Sequence, residues 1–354
     1  MNFITGPSRT FFSKVKHTMA AYAMTAPGDR VLIGLSGGPD SVALARVLLG
    51  LRDELNITVG AAHLNHCLRG DASIQDEGFV RAFARAHNID IAVETKEIKP
   101  FAKTQGLSLE TAGRSARYAF FKRIADEGGY TRIATGHNWD DHVEQILMNL
   151  IRGAGPKGLR GIAPVRENRF IRPLIRVPKT LILDVLSDLE QPFVLDESNS
   201  DPAFFRNRVR TQLIPLLAAE YNPEIKAGLD RLSTILIQED DFLETEAQKR
   251  FNAILLESGK VQVVLSVPKL LALHPALAAR VLRHGLMHVK QNLRRITHTH
   301  IKDILTLCDG EPGKSLDLPC QIRVYKQRGQ LVIQKEEQPL RELGARQKSK
   351  RRKT

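Results

Sequence analysis

Short apolar runs and amphipathic stretches alternate along the first 150 residues. Val31, Leu32, Ile33 and Leu35 form an apolar run bounded by Gly34 and Ser36, which predicts a buried parallel strand. Val42, Ala43, Leu44, Val47 and Leu48 follow at helical spacing and predict a helix over 41–53. The same reading gives strands at Ile57–His63, Ile89–Val93 and Thr131–Thr135, and helices over 74–87, 108–127 and 139–152. An earlier helix, 8–25, carries Phe11, Phe12, Val15 and Met19 on one side. Strands alternating with helices at this spacing imply βαβ units and a parallel sheet covered on both faces, an α/β architecture. After about residue 215 the pattern changes. Residues 222–258 are charged and helical in period from Ile225 through Leu229, Leu232, Leu236, Phe242 and Phe251. A strand-like piece, Val261–Val267, helices over 268–290 and 297–307, and alternating residues 316–334 around a turn at Gln327–Gly329 complete the chain. The expected organisation is a catalytic domain over 1–215, an appended, mostly helical module over 216–340, and a basic tail over 341–354, read as a solvated, disordered end.

Composition narrows the class. At 354 residues with 42% apolar content, the chain is long enough for two or three ordinary cores. It has no run of about 18 apolar residues, so no membrane partner is expected. The N-terminus lacks a continuous apolar stretch and reads as an amphipathic helix rather than a signal peptide. Cys67, Cys308 and Cys320 are odd in number and lack C-x-x-C spacing, which disfavours a disulfide framework or zinc ribbon and favours a cytoplasmic setting. Lys plus Arg outnumber Asp plus Glu by 52 to 39, a formal charge of +13 that suits a polyanionic partner. The last nine residues, RQKSKRRKT, hold six bases and no acid.

Ligands on parallel sheets sit at the carboxyl ends of the strands, and three such ends carry polar clusters. The first is Ser36, Gly37, Gly38, Pro39, Asp40 and Ser41. A strand, a glycine turn and a helix N-terminus make an anion site, with Ser36 and Ser41 as added donors. Asp40 would repel phosphate unless it holds Mg²⁺ bridging to the phosphates. The second is HLNHCLRG, residues 63–70. His63, Asn65, His66 and Cys67 resemble a metal set, but Arg69 disfavours a cation; contacts from His63, Asn65 and Arg69 to nucleotide or RNA compete with a plain polar loop. The third is GHNWDDHVE, residues 136–144. His137 follows the strand, and Asp141 and Glu144 share a helix face. Acids at a helix start are often only dipole partners, which covers Asp140 better than the set of three. Two further clusters carry arginine. Arg114 and Arg117 lie three apart on one helix face and suit phosphate, or else form a solvated basic face. Arg206, Arg208 and Arg210 alternate after the acids of 196–201, giving either an ion-pair network or an RNA or adenylate contact. Two other motifs lack their context: Gly153, Gly155 and Gly158 follow a helix rather than a strand, and GEPGKS over 310–315 has Cys308 where a Walker loop needs glycine.

SGGPDS resembles the PP-loop of the ATP pyrophosphatases. Together with HLNHCLRG, GLSLETAGRSARY, GHNWDD with Glu144, RGAGPKGLRGI, IRPLI, and DESNSD followed by RNR, it resembles the tRNA(Ile)-lysidine synthetase family, in family order over roughly 30–215 and more weakly through 216–340. The resemblance implies a Rossmann-like PP-loop domain using ATP and Mg²⁺. The C2 oxygen of the wobble cytidine in the CAU-anticodon isoleucine tRNA is adenylated, and free lysine then displaces AMP. It implies that Ser36, Gly37, Gly38, Pro39 and Ser41 cradle pyrophosphate and that Asp40 anchors Mg²⁺. Arg114 and Arg117 stabilise phosphate charge, Asp141 and Glu144 hold the lysine ammonium, and His137 lies near the adenylate. Arg206 and Arg208 meet tRNA or adenylated base. The expected partners are that tRNA and lysine, with homodimerisation left open. Longer relatives carry a further C-terminal domain, so only the first appended module is expected here. The alternative function is a PP-loop enzyme that thiolates a tRNA base, which generally needs more cysteine near the site than Cys67.

Overall fold

The computed structural model describes residues 6–67, 70–195 and 205–336. In chain order the elements are α1 (Gly6–Ala21), β1 (Arg30–Gly34), α2 (Pro39–Leu51), β2 (Thr58–Asn65), α3 (Asp71–Ala86), β3 (Ile91–Thr95), α4 (Ile98–Gln105), α5 (Leu109–Glu127), β4 (Arg132–Ala134), α6 (Trp139–Ile151), α7 (Pro156–Leu159), β5 (Val165–Arg166), β6 (Phe170–Ile171) and α8 (Lys179–Asp188). Next come α9 (Phe205–Arg208), a π-helical turn (Val209–Leu213), α10 (Ile214–Glu220) and α11 (Ile225–Ile254). The chain then forms β7 (Leu255–Ser258), β8 (Gln262–Ser266), α12 (Val267–Leu271), α13 (Pro275–Lys290), α14 (His298–Asp309), β9 (Ser315–Leu318), β10 (Ile322–Gln327) and β11 (Gln330–Lys335). The chain divides into two compact units after Leu236.

The first unit is built on a six-stranded sheet of order β3-β2-β1-β4-β6-β5. All neighbours are parallel except the edge pair β5 and β6. Alternation along β1 sends Val31 and Ile33 into one core with α1, α2, α3 and α8, and Leu32 into a second core with α4 and α5. Both faces are thus apolar, which is why β1 reads as an unbroken hydrophobic run. In register, Ile33 lies between Ala61 of β2 and Ala134 of β4, so the ends of all three strands reach one edge. The helix after β1 packs on one face and the helix before β4 on the other. The β1–β4 boundary is therefore the topological switch point, where a crevice opens. A third cluster seats α6 against α9, α10 and the start of α11 through Val143, Ile146, Leu147, Val209, Ile214 and Leu229.

The second unit pairs helices with a five-stranded antiparallel sheet of order β7-β8-β11-β10-β9. Val263, Leu265, Val324 and Ile333 from the strands bury against Val281, Leu282 and Leu286 of α13 and Ile301 and Ile304 of α14. The module is thus sheet as well as helix. The predicted long helix stops at Ile254, where Leu255–Ser258 pairs with β8 instead of continuing, because the apolar spacing at 254–256 serves a sheet edge equally well. The single helix expected over 268–290 is two, restarted at Pro275 in the first-turn position. Lys314 and Ser315 of GEPGKS lead into β9 and do not open a helix.

Candidate active site

The loop after β1 holds its shape by its own polar groups. Gly37 sits at φ +88°, and a Cβ there would meet Phe79 and Val194 at 3.3 and 3.4 Å. The Ser36 amide donates to Ser41 Oγ (3.1 Å), whose hydroxyl donates to the Gly38 carbonyl (2.9 Å). The first bond of α2 runs from Val42 N–H to Gly38 O at 3.0 Å, with Pro39 in the first turn. The amides of Gly38, Asp40 and Ser41 therefore lie outside the helix ladder at its positive end, as anion binding requires. β4 approaches this turn closely: a Cβ on Gly136 would lie 3.0–3.2 Å from backbone atoms of Asp40 and Ser41.

One carboxylate oxygen of Asp40 reaches the starts of α6 and α8. Its Oδ1 accepts from Asn138 Nδ2 (3.0 Å) and Lys179 Nζ (2.7 Å). Asn138 also caps α6 in a capping box with Asp141, so the cap and the Asp40 contact fix each other. Asp140 accepts from the Lys179 amide and from Lys226 Nζ, both at 2.7 Å. These groups line a cavity of about 280 Å³ together with Glu144, Arg210 and Ile214.

Beside it, Asp141 and Glu144 meet two guanidinium groups. Arg206 Nε donates to Glu144 Oε2 (2.8 Å) and its Nη2 to Asp141 Oδ1 (3.2 Å). Arg210 donates through Nε to Glu144 Oε1 (2.6 Å) and through Nη2 to Asp141 Oδ1 (3.0 Å). Glu144 is 2% exposed. Burial pushes the Asp141 carboxyl up, against the pull of Arg206. Arg206 and Arg210 thus form an ion-pair network with the α6 carboxylates, which are not the acids of 196–201 weighed from the sequence; those acids lie outside the described residues. Arg208, on the opposite side of the turn, is exposed and lies over the Phe205 ring, which also carries Arg152.

A cationic cluster occupies the α5 side. His137 bonds Thr135 Oγ1 through Nδ1 (3.0 Å), and burial together with Arg172, Arg114, Arg206 and Arg117 pushes it well below the usual imidazole range. Arg114 and Arg117 are exposed on α5, and Arg114 lies over the Tyr118 ring. Arg172 is 2% exposed, bonded to the Ala163 carbonyl and to Tyr118 Oη. At the end of β2 the polar residues face inward. His63 Nδ1 donates to the Leu35 carbonyl (2.8 Å), Asn65 Nδ2 donates to Ser73 O and Glu77, and His66 Nε2 accepts from Arg117 (3.2 Å). Burial and Arg117 push His66 down to about 4. Arg69 lies outside the described residues. The structure therefore brings Ser36–Ser41, His137, Asp141, Glu144, Arg206, Arg114 and Arg117 to the β1–β4 edge and spends the Asn65 amide on α3. It adds Lys179, Lys226, Arg210, Asn138 and Arg172. Of these, only Arg210 was already in view, as a member of the 206–210 arginine cluster.

A PP-loop at a switch point, with an acidic helix and arginines around it, defines the class as an ATP-binding PP-loop domain, and the family model for "PP-loop domain" matches residues 8–217. A second model, "TilS substrate binding domain", matches 265–329. The chain belongs to the tRNA(Ile)-lysidine synthase family. It is 35% identical over 319 residues to the tRNA(Ile)-lysidine synthase of Clostridium tetani, covering 90% of this chain and 68% of that one. With the enzyme of that name from Geobacter sulfurreducens it shares 36% over 323 residues, covering 90% and 68%. In fold it is similar to the U34-tRNA thiolase NcsA from Methanococcus maripaludis, with a TM-score of 0.54 at 21% identity over 65% of this chain and 79% of that one.

Proposed function

We propose that the chain ligates lysine to C2 of the wobble cytidine of the CAU-anticodon isoleucine tRNA, with ATP split to AMP and pyrophosphate. The observation that carries this is the placement, in a chain of this family, of an anion-cradling turn beside the Asp141 and Glu144 carboxylates, their two arginines and a histidine near further guanidinium groups. The cytidine C2 oxygen attacks the α-phosphorus. The O–P bond forms, the bond to the bridging oxygen breaks, and pyrophosphate leaves against the amides of Gly38, Asp40 and Ser41. Arg114 and Arg117 face the charge that accumulates on the phosphate. The ε-amine of lysine then attacks C2, the C2–O bond breaks and AMP departs. The lysine ammonium must first lose a proton. The α6 carboxylates of Asp141 and Glu144 are the groups that would receive the amine, and His137 lies near the adenylate.

Asp40 fits Mg²⁺ as one carboxylate to be completed by phosphate oxygens, the set this ion usually takes in nucleotide sites. Bound there, the ion would neutralise charge on the leaving pyrophosphate. The direct test supplies ATP, labelled lysine and candidate tRNAs, then digests the RNA to nucleosides. Label on cytidine from the CAU isoleucine tRNA, with AMP as coproduct, is the expected result. ADP as coproduct, or no labelled nucleoside, removes the reading.

A further inference from the structure

The cavity beside Asp40 is walled by Asp40, Asn138, Asp140, Glu144, Lys179, Lys226, Arg210 and Ile214. At about 280 Å³ it has room for a small metabolite. Its hydrogen-bond capacity is unbalanced. Both oxygens of Asp140 accept, one from the Lys179 amide and one from Lys226 Nζ. Both oxygens of Glu144 accept from guanidinium N–H groups. Each lysine ammonium, by contrast, carries three donors. Among the described residues Lys226 Nζ bonds only Asp140 and Lys179 Nζ bonds only Asp40. The acids are thus largely saturated, whereas the bases keep donors to spare. The spare donors of Lys179 and Lys226 suit a carboxylate, and Ile214 gives the cavity one apolar surface.

We propose that this cavity takes the α-carboxylate end of the amino-acid substrate, with Lys226 as the residue that reads the carboxylate. The inference rests on the proposed ligase reading and deepens it. That reading brings the amine of a free amino acid to Asp141 and Glu144, and the cavity, which Glu144 also lines, supplies lysine donors for its far end. Lys226 is then what separates an amino acid from a simple amine of the same length. It comes from the start of α11, outside the sheet and its crossovers.

The test uses the full chain with ATP, Mg²⁺ and the CAU isoleucine tRNA, and compares lysine with cadaverine, which is lysine without its carboxylate. Lys226→Met is expected to raise KM for lysine by about tenfold, as loss of a charge-assisted hydrogen bond does, and to leave KM for ATP and for cadaverine within about twofold. The wild-type preference for lysine over cadaverine should then collapse, and Lys226→Arg should restore part of it. An unchanged lysine KM, or equal rises for lysine and cadaverine, overturns the proposal. A rise in KM for ATP in place of lysine also overturns it and assigns the cavity to phosphate. If the wild type makes no AMP with any tRNA, the ligase reading fails. Calorimetric titration of lysine into the same proteins then decides the pocket. Binding lost in Lys226→Met supports it, and equal or absent binding overturns it.

Discussion

Asp40 and His142 show how single side chains in this unit divide between chemistry and support. Asp40 is the one acid of the PP-loop, and its carboxylate is shared between Asn138 and Lys179. Asp40→Asn keeps the volume and removes the charge. We expect AMP formation to fall on the order of 100-fold, the scale of losing one charged group at the reacting phosphates, with the Kd for tRNA unchanged. Filter binding beside an AMP assay checks this, and equal loss of both would move Asp40 out of the chemistry. His142 lies one residue beyond Asp141 but faces the interior. Its Nδ1 accepts from the Ile162 amide (3.1 Å), and its Nε2 lies 3.2 Å from Ser233 Oγ. Burial, reinforced by the nearby Arg176, pushes its pKa down to about 4 from an ordinary value of 6.5. A base depressed in the folded state adds a proton more readily when unfolded. The stability it contributes is full above pH 6.5 and drains away as pH falls toward 4. At pH 4.5 this one group should cost about 2 kcal/mol relative to pH 7. Urea titrations at the two pH values should show the loss, and His142→Asn should reduce it.

At the scale of elements, what was legible in the sequence was what is local. β1, the glycine turn and α2 are contiguous, so residues 31–51 carried their own signals: an apolar run, glycines and a helical period. The convergence of the ends of β1, β2 and β4 also followed, because alternation of strands with helices fixes a parallel sheet. The α9–π-turn–α10 segment was not legible. Its arginines pointed to an ion-pair network with the acids of 196–201 or to an RNA or adenylate contact, whereas the partners seen on α6 lie 62 and 66 residues away. Lys179 meets Asp40 across 139 residues, with no spacing to announce it. Arg206 in α9 and Arg210 in the π-helical turn, four residues apart, lie on one side of the segment and both reach Asp141 and Glu144 on α6. Two guanidinium groups over a 2% exposed carboxylate back each other up. Arg206→Ala or Arg210→Ala alone leaves Glu144 one partner and should cost about 1 kcal/mol. The double variant leaves a buried charge uncompensated and should cost about 3 to 5 kcal/mol. The loss is thus more than additive in urea unfolding. Adding Glu144→Gln to the double variant should recover part of it. Simple additivity would mean that water reaches Glu144 when one arginine is gone.

At the scale of the molecule, the match to a PP-loop domain sits in the first unit, and the match to a substrate-binding domain sits in the second. The chain as a whole carries a formal charge of +13. If RNA is the partner, that charge makes binding a counterion-release process, and log Kd must rise linearly with log salt. ATP, held by a compact turn and a few fixed groups, should show a much flatter dependence. Arg208 gives this a residue-level handle. It is exposed, pairs with no carboxylate among the described residues, and shares the Phe205 ring with Arg152. Such a guanidinium is preset for a phosphate or a base face. Arg208→Ala should therefore weaken tRNA binding at every sequence tested and lower the salt slope by about 1, as expected when one fewer phosphate is neutralised. Arg206→Ala, whose cation is committed to Glu144 and Asp141, should change the slope far less. Filter binding of the tRNA from low to moderate KCl, for the wild type and both variants, measures all three slopes. A slope for Arg208→Ala equal to that of the wild type would take Arg208 off the path of the RNA backbone. A large change for Arg206→Ala would mean that tRNA draws this arginine away from the α6 carboxylates.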